Sequence, residues 1–493
     1  MSADETATAA TDAVVDANDV WRLAARADAV ALLDAERGTS LSYAALHTRA
    51  RALAEQLTFA RRTDATNTRA LVFVLAAIDV SSIVAYLAAQ LAGHVVLLLD
   101  RDTTPALLDA LRAVYRPDFV LSAERADTSR TDASYEVHVE HCAGDPRRQL
   151  HPSLSLLLST SGTTGSPKLV RLSRDNLLAN ARSIAAYLSL DEHERAISSL
   201  PFHYSYGLSV LHSHLYAGAS MVVSAASVMR PELWQAMRDH ACTSFAGVPY
   251  AYQIMRRVGF EKQALPALRT LTQAGGKLPD NITAYYRQLM EARGGRFITM
   301  YGATEATARM SYLPPQHASH KPGSIGVAIP GGTLRVVDLT TGVTLGEPQA
   351  TGELVYSGPN VMLGYATSAD ELALGDTQHG ELRTGDLGHH DAEGYFYVTG
   401  RLKRFAKVYG LRINLDDVEV RLRQHGPVAA VSDDERLTLY CEFGDAGSHD
   451  TLRSELADVY KLNVNTFRFV RVEALPLLAS GKVDYASLQQ RPR

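Results

Sequence analysis

Nineteen consecutive residues without a formal charge, SSIVAYLAAQLAGHVVLLL from Ser81 to Leu99, approach the length of a membrane span, yet Gly93 and His94 divide the run. The part before the glycine reads as a buried helix and the β-branched part after it as a buried strand. Both must be covered on every side. The segments around them repeat the theme, with the amphipathic pattern YAALHTRARALAEQL before the apolar run RALVFVLAA. Helix alternating with apolar strand predicts a parallel sheet clothed by helices.

The alternation resumes after Leu156, with SMVVS and TSFAGV as strands and PELWQAMRDHA and DNITAYYRQLMEA as helices. From Gly323 the texture changes to short strands with glycine-rich turns (TLRVVD, GELVYSG, GYFYVTG), as in a small β subdomain ending near residue 401. Residues 402–493 carry two helical patterns, Asp416 to Gln424 and Asp450 to Tyr460, and the strands LTLYCEF and FRFVRV. The expected fold class is α/β: a large domain over 19–401, its β subdomain over 323–401, and a small α+β domain over 402–493. A chain of 493 residues is too long for one compact core, which agrees. Residues 1–18, acidic and without an apolar h-region, read as a disordered tail and not as a signal peptide.

A net charge of −5 excludes the electrostatic footprint of a nucleic-acid binder, and no stable membrane insertion is expected. Cys142, Cys242 and Cys441 lie far apart with no CxxC spacing, which argues against a disulfide framework or thiolate metal site and fits a cytoplasmic setting.

Chemistry is concentrated in five stretches. In LLLSTSGTTGSPKLV, Leu156 to Leu158 end a strand, and Asp175 or Asn176 is in place to cap the helix that follows. Between them Thr160, Ser161, Gly162, Thr163, Thr164, Gly165 and Lys168 offer close backbone amides, hydroxyls and a mobile cation, the donors a polyphosphate needs. An ordinary surface loop has the same composition, and the Walker spacing fails because Pro167 precedes Lys168 and Leu169 follows it. YGATEA, from Tyr301 to Ala306, places an aromatic, a hydroxyl and a carboxylate on a turn after an apolar strand. RTGDLG sets Asp386 in a glycine-bracketed turn, GRLKRFAKVYGLRINLDDVE runs from Gly400 to Glu419, and LASGKVDYASL puts Lys482 in a turn. Taken singly, Asp386 reads as a turn residue, Tyr301 as a core aromatic and Lys482 as a solvated charge.

In that order and at those intervals the five stretches resemble the adenylate-forming superfamily, which contains acyl- and aryl-CoA synthetases, firefly luciferase and peptide-synthetase adenylation domains. The resemblance covers nearly the whole chain. It implies ATP-dependent activation of a carboxylic acid as acyl-adenylate, release of pyrophosphate, and transfer to a pantetheine thiol of CoA or a free-standing acyl carrier protein. By the same resemblance, Thr160 to Lys168 grip the β- and γ-phosphates. Tyr301 stacks on adenine, with Gly302 and Gly275 completing the nucleotide contacts. Thr304 donates to the α-phosphate and Glu305 holds Mg²⁺. Asp386 and Arg401 take the ribose, and Lys482 neutralises the meeting of carboxylate and α-phosphate. A mobile small domain turning about Lys403 is implied, with Gly410 lining the thiol channel. Leu169 departs from the family's Pro-Lys-Gly, and Lys403 replaces an Asp common at the hinge. The chain ends within a dozen residues of Lys482, so no fused carrier domain is expected.

The substrate pattern is Phe202, His203, Tyr204, as in acyl- and aryl-CoA synthetases. Amino-acid-activating domains resemble a Phe-Asp pair there. His203 is therefore expected at the acyl pocket, although a hydrogen-bonded core histidine is its plainer reading. His212 and His214 diverge on a helix and suggest no metal site. The pocket floor should come from FAGVPYAYQ and TQAGGKL, apolar, small or uncharged apart from Lys277, suiting a small carboxylic acid with an apolar body. The competing readings are a stand-alone amino-acid activator loading a carrier protein and a non-catalytic nucleotide-binding homologue.

Overall fold

The computed structural model describes residues 18–62, 69–123, 135–145, 147–159, 168–402, 404–408, 411–432, 436–460, 462–478 and 482–491. Thr160, Ser161, Gly162, Thr163, Thr164, Gly165, Lys403 and Gly410 lie outside these residues.

The uncharged run folds as its pattern predicts. Val80–Leu91 is a helix buried along its whole length, capped by Asp79, whose carboxylate accepts from the Ser82 amide at 2.7 Å. Gly93 turns the chain in the left-handed region (φ 74°), and Val95–Asp100 continues as a strand. In its sheet the order is Gly364–Ala366, Leu169–Ser173, Leu154–Ser159, Val95–Asp100, Leu71–Ala76, Phe119–Ala123, Val137–His141. The inner strands are parallel, and the added edge strands are antiparallel. A second sheet runs Ser311–Tyr312, Arg296–Tyr301, Thr270–Gln273, Ser244–Gly247, Arg195–Ile197, Ser220–Val223, Val30–Asp34, Thr39–Ser42, with a parallel interior. Helices on both sheets bury aliphatic and aromatic side chains in continuous clusters. Among the described residues no helix is long and apolar enough to cross a membrane.

By packing, the chain divides into two compact units. One takes residues up to Pro322 with Ala328–Thr333 and Ser357–Leu382, and contains both sheets above. The other takes Gly323–Val327, Leu334–Tyr356 and everything from Arg383. It holds a five-stranded sheet and a three-stranded sheet of Val428–Ser432, Leu437–Cys441 and Phe467–Arg471, with helices Leu415–Leu422 and Ala446–Tyr460. Of the β segment over 323–401, residues 323–327, 334–356 and 383–401 thus group by packing with the C-terminal residues, and 328–333 and 357–382 with the first unit.

Seven elements carry the chemistry: β1 (Leu169–Ser173), α1 (Arg174–Leu188), α2 (Ser205–Ala217), β2 (Arg296–Tyr301), β3 (Gly364–Ala366), β4 (Glu381–His390) and β5 (Phe396–Arg401). The cap of α1 differs from expectation. Ser173 is the N-cap, accepting from the Asn176 amide at 3.0 Å while the Asn176 side chain accepts from the Ser173 amide at 2.9 Å. The helix therefore begins at Arg174, because the reciprocal pair satisfies two end donors where an Asp175 cap would satisfy one.

Candidate active site

β2 ends at Tyr301 and the chain folds back at once, the Met310 amide donating to the Tyr301 carbonyl at 2.9 Å. Gly302 makes this possible, since a Cβ there would overlap the Ala308 carbonyl oxygen. The turn is strained as well as tight: Thr307 and Ala308 have φ of 56° and 107°, uncommon for residues with a Cβ. Asn360 holds it in that shape, donating to the carbonyls of Ala306 and Arg309, both at 2.8 Å, while the Thr307 hydroxyl donates to the Asn360 carbonyl at 2.7 Å. Backbone strain over-determined by its surroundings is a mark of functional turns.

This clamp aims two side chains. The Thr304 hydroxyl is 3.1 Å from that of Ser205, the first residue of α2. Glu305 accepts from the Tyr365 hydroxyl at 2.8 Å, and its carbonyl accepts from the Met362 amide at 2.8 Å. Tyr365 reaches this point because β3 pairs antiparallel with β1, Tyr365 opposite Val170. The same pairing puts Lys168, just before β1, over the Tyr365 ring, Nζ 3.4 Å from its centre. Burial, and then the charge of Glu305, push the Tyr365 phenol well above its ordinary range, so it is a donor and not a phenolate. Tyr365 was not expected from the sequence. Its signal is a register between strands, which no local motif announces.

His203 precedes α2, with Nε2 3.6 Å from an oxygen of Asp100. Burial lowers its pKa, and Asp100 opposes only part of that, so the imidazole is neutral near pH 7. Tyr204 caps α2 and directs its hydroxyl at Gly275: a Cβ there would lie 2.8 Å from it, and φ of +88° already requires glycine. The pocket wall also contains a charge that the sequence reading had left out. Arg309, buried, stacks its guanidinium 3.9 Å from the centre of the Tyr206 ring, a cation outside the two stretches expected to form the pocket floor. An arginine in the otherwise apolar run ARMSYL, directly after the motif, was the available signal. The two helix histidines serve packing: His212 stacks on Trp21 and bonds the Tyr86 hydroxyl at 2.8 Å, and His214 meets the Val210 carbonyl at 2.8 Å.

In the second unit Asp386 is in β4, a ten-residue strand, and not in a turn as expected. Gly385 (φ 70°) and a register shift after Leu387 accommodate the glycines inside the strand. Asp386 pairs across to Arg401 on β5, Oδ1 to Nε 2.7 Å, the carboxylate almost fully buried and the arginine largely exposed. Lys482 is on a bend, its carbonyl accepting from the Leu478 amide at 2.8 Å. Three residues on, the Tyr485 ring stacks under Arg404, 3.9 Å from the guanidinium carbon, and its hydroxyl donates to the buried Glu419 at 3.1 Å. The structure thus brings Lys168, Thr304 and Glu305 into one constellation, with Tyr301 and Gly302 on the same turn, and joins Asp386 to Arg401.

For a metal, the donors present are one carboxylate and one hydroxyl, Glu305 and Thr304, both hard oxygens. That fits Mg²⁺, which takes one or two carboxylates and completes its shell with water and phosphate oxygens.

A strained turn clamped after the last parallel strand of its sheet marks the candidate site, and comparison with known proteins gives the family. The family model described as AMP-binding enzyme matches residues 20–366. The oxalate–CoA ligase of Arabidopsis thaliana is 30% identical over 397 residues, 77% of this chain and 73% of that one. The sulfoacetate–CoA ligase of Cupriavidus necator is 33% identical over 289 residues, 58% of this chain and 55% of the relative. In fold, the o-succinylbenzoate CoA synthetase of Bacillus subtilis superposes with a TM-score of 0.75 at 23% identity, covering 94% of this chain and 96% of that one. The chain belongs to the AMP-binding enzyme family, among its AMP-forming acid:thiol ligases.

Proposed function

We propose that the 301–309 turn, Lys168 and Lys482 carry out the adenylation of a carboxylic acid that lacks an α-ammonium group, with CoA as the thiol acceptor. The reaction class is the family's: a carboxylate oxygen attacks the α-phosphorus of ATP, the bond to the β-phosphate oxygen breaks, and pyrophosphate leaves. A thiolate then attacks the acyl carbon and AMP leaves. Thr304 donates to an α-phosphate oxygen as charge builds there, and Tyr365 holds Glu305 in one orientation. Glu305 would hold Mg²⁺, which would supply charge neutralisation. Lys168 and Lys482 bring mobile cations to the leaving and attacking anions, Asp386 takes the ribose hydroxyls, and Tyr301 stacks on adenine.

The observation that carries this reading is the Lys168–Tyr365–Glu305 contact, which places a cation and an oriented carboxylate beside the strained turn. Position 203 presents a neutral imidazole in place of a carboxylate, so that side chain itself offers a substrate ammonium no charge. The relatives act on acids as different as oxalate and indoleacetate, so the acid is a property of this chain's own pocket. ATP–pyrophosphate exchange tests the reading. Simple carboxylic acids should drive it and their α-amino analogues should not, because burying an unpaired charge costs several kcal/mol. Strongest exchange with an ordinary amino acid would refute it.

A further inference from the structure

Three arginines of the first unit are almost wholly buried, and two of them have conventional partners. Arg148 pairs with Asp118, and Arg171 donates to the carbonyls of Leu363, Tyr365, Leu374 and Gly375. Arg309, 2% exposed, has neither kind. Its Nε lies 3.4 Å from the Met300 sulfur, a weak acceptor, and its guanidinium faces the Tyr206 ring. Its charge tempers the effect of burial on Tyr187, whose phenol is still pushed up to about 12. Among the described residues no carboxylate pairs with it. A desolvated cation that meets a ring face, the neutral Tyr187 hydroxyl and a thioether, but no carboxylate, is costly unless something anionic joins it.

The surroundings fit an incoming anion. Arg309 borders a cavity of about 20 Å³ with a largely apolar lining, whose polar members besides the arginine are Ser209, Ser213, His214, Ser244, Thr270 and Thr272. The Nε2 of His214 is buried there without a partner. A void of this size admits one water-sized group, such as a single oxygen of a carboxylate, and not an alkyl chain. Arg309 is also close to the chemistry, its Cα 3.0 Å from where a Cβ on Gly302 would stand.

We propose that Arg309 receives a second anionic group on the substrate, so that the protein activates a short dicarboxylic acid. One carboxylate meets ATP at Thr304, and the other docks on the guanidinium. The planar fork matches a carboxylate with two parallel hydrogen bonds, and the Tyr206 ring fixes its plane. A pocket built around such a pair rejects the analogue that lacks the second charge, because the cation is then left unmatched. This inference rests on the ligase reading above.

The test is ATP–pyrophosphate exchange with pairs that differ only at the far end: succinate against butyrate, adipate against hexanoate, and each diacid against its monomethyl ester. In the wild type, kcat/KM for the better diacid should exceed that of its partner on the order of a hundredfold. Arg309→Gln should invert the ranking, lowering the diacid's value and raising the monoacid's, with AMP binding reporting that the variant is folded. Arg309→Lys, a charge without the fork, should keep part of the preference, and with the wild-type ranking it decides the matter if Arg309→Gln does not fold. Monoacids equal to diacids in the wild type, or a diacid preference that survives Arg309→Gln in an AMP-binding protein, would overturn the inference and leave the ligase reading standing. Failure of every acid to drive exchange would overturn both.

Discussion

Tyr365 ties a cation to a carboxylate through one ring. Its hydroxyl orients Glu305 and its face carries Lys168, so the two functions separate on substitution. Tyr365→Phe keeps the ring and removes the bond. Loss of a hydrogen bond to a charged group costs about 1.5–3 kcal/mol, so the Mg²⁺ concentration for half-maximal exchange should rise roughly tenfold or more. A Mg²⁺ titration of the variant that superposes on the wild type would remove Tyr365 from the site. At this scale the sequence singles out residues that belong to a motif, as with Thr304, Glu305 and Asp386. It was silent on Tyr365, which depends on β3 lying beside β1, and on Arg309, whose meaning depends on the absence of a counter-charge among residues distant in sequence.

Helix α2 shows how an element can be legible in outline and hidden in its chemistry. Its apolar run was recognisable, but the burial of His212 between Trp21 and Tyr86 was not, since those partners come from segments more than a hundred residues earlier. Burial takes the His212 pKa from an ordinary 6.5 to about 3. The unfolded chain therefore binds a proton that the folded chain refuses. The associated stability is complete above pH 6.5 and is lost as pH falls toward 3, at up to about 1.4 kcal/mol per pH unit. His212→Gln can still bond Tyr86 and does not titrate. Its apparent melting temperature should fall less steeply between pH 6.5 and 4 than that of the wild type, and parallel curves would contradict the assignment. The cap of α1 teaches a similar lesson: Ser173 and Asn176 act as a pair, and choosing between neighbouring polar residues requires knowing where β1 ends.

For the molecule as a whole, we propose that Lys482 acts in one half-reaction only. Lys482→Ala should abolish pyrophosphate exchange yet still pass the acyl group from supplied acyl-AMP to CoA, a split that product analysis of the two halves reads directly. Equal loss of both in a folded variant would count against it. Helix and strand alternation revealed the layered sheets, because buried strands and covering helices leave strong periodic traces. The grouping of the later strands with the C-terminal residues left no such trace, as it depends on contacts between segments whose own patterns are complete. It has a practical consequence for anyone recombining genes of this kind. The chain passes from one unit to the other after residues 322, 327, 333, 356 and 382, so neither unit is encoded by an uninterrupted stretch. A crossover at residue 401 would graft the C-terminal segment onto a foreign β4 and β5, and chimeras joined there will inherit mismatched neighbours unless the strands of residues 334–356 and 383–401 travel with it.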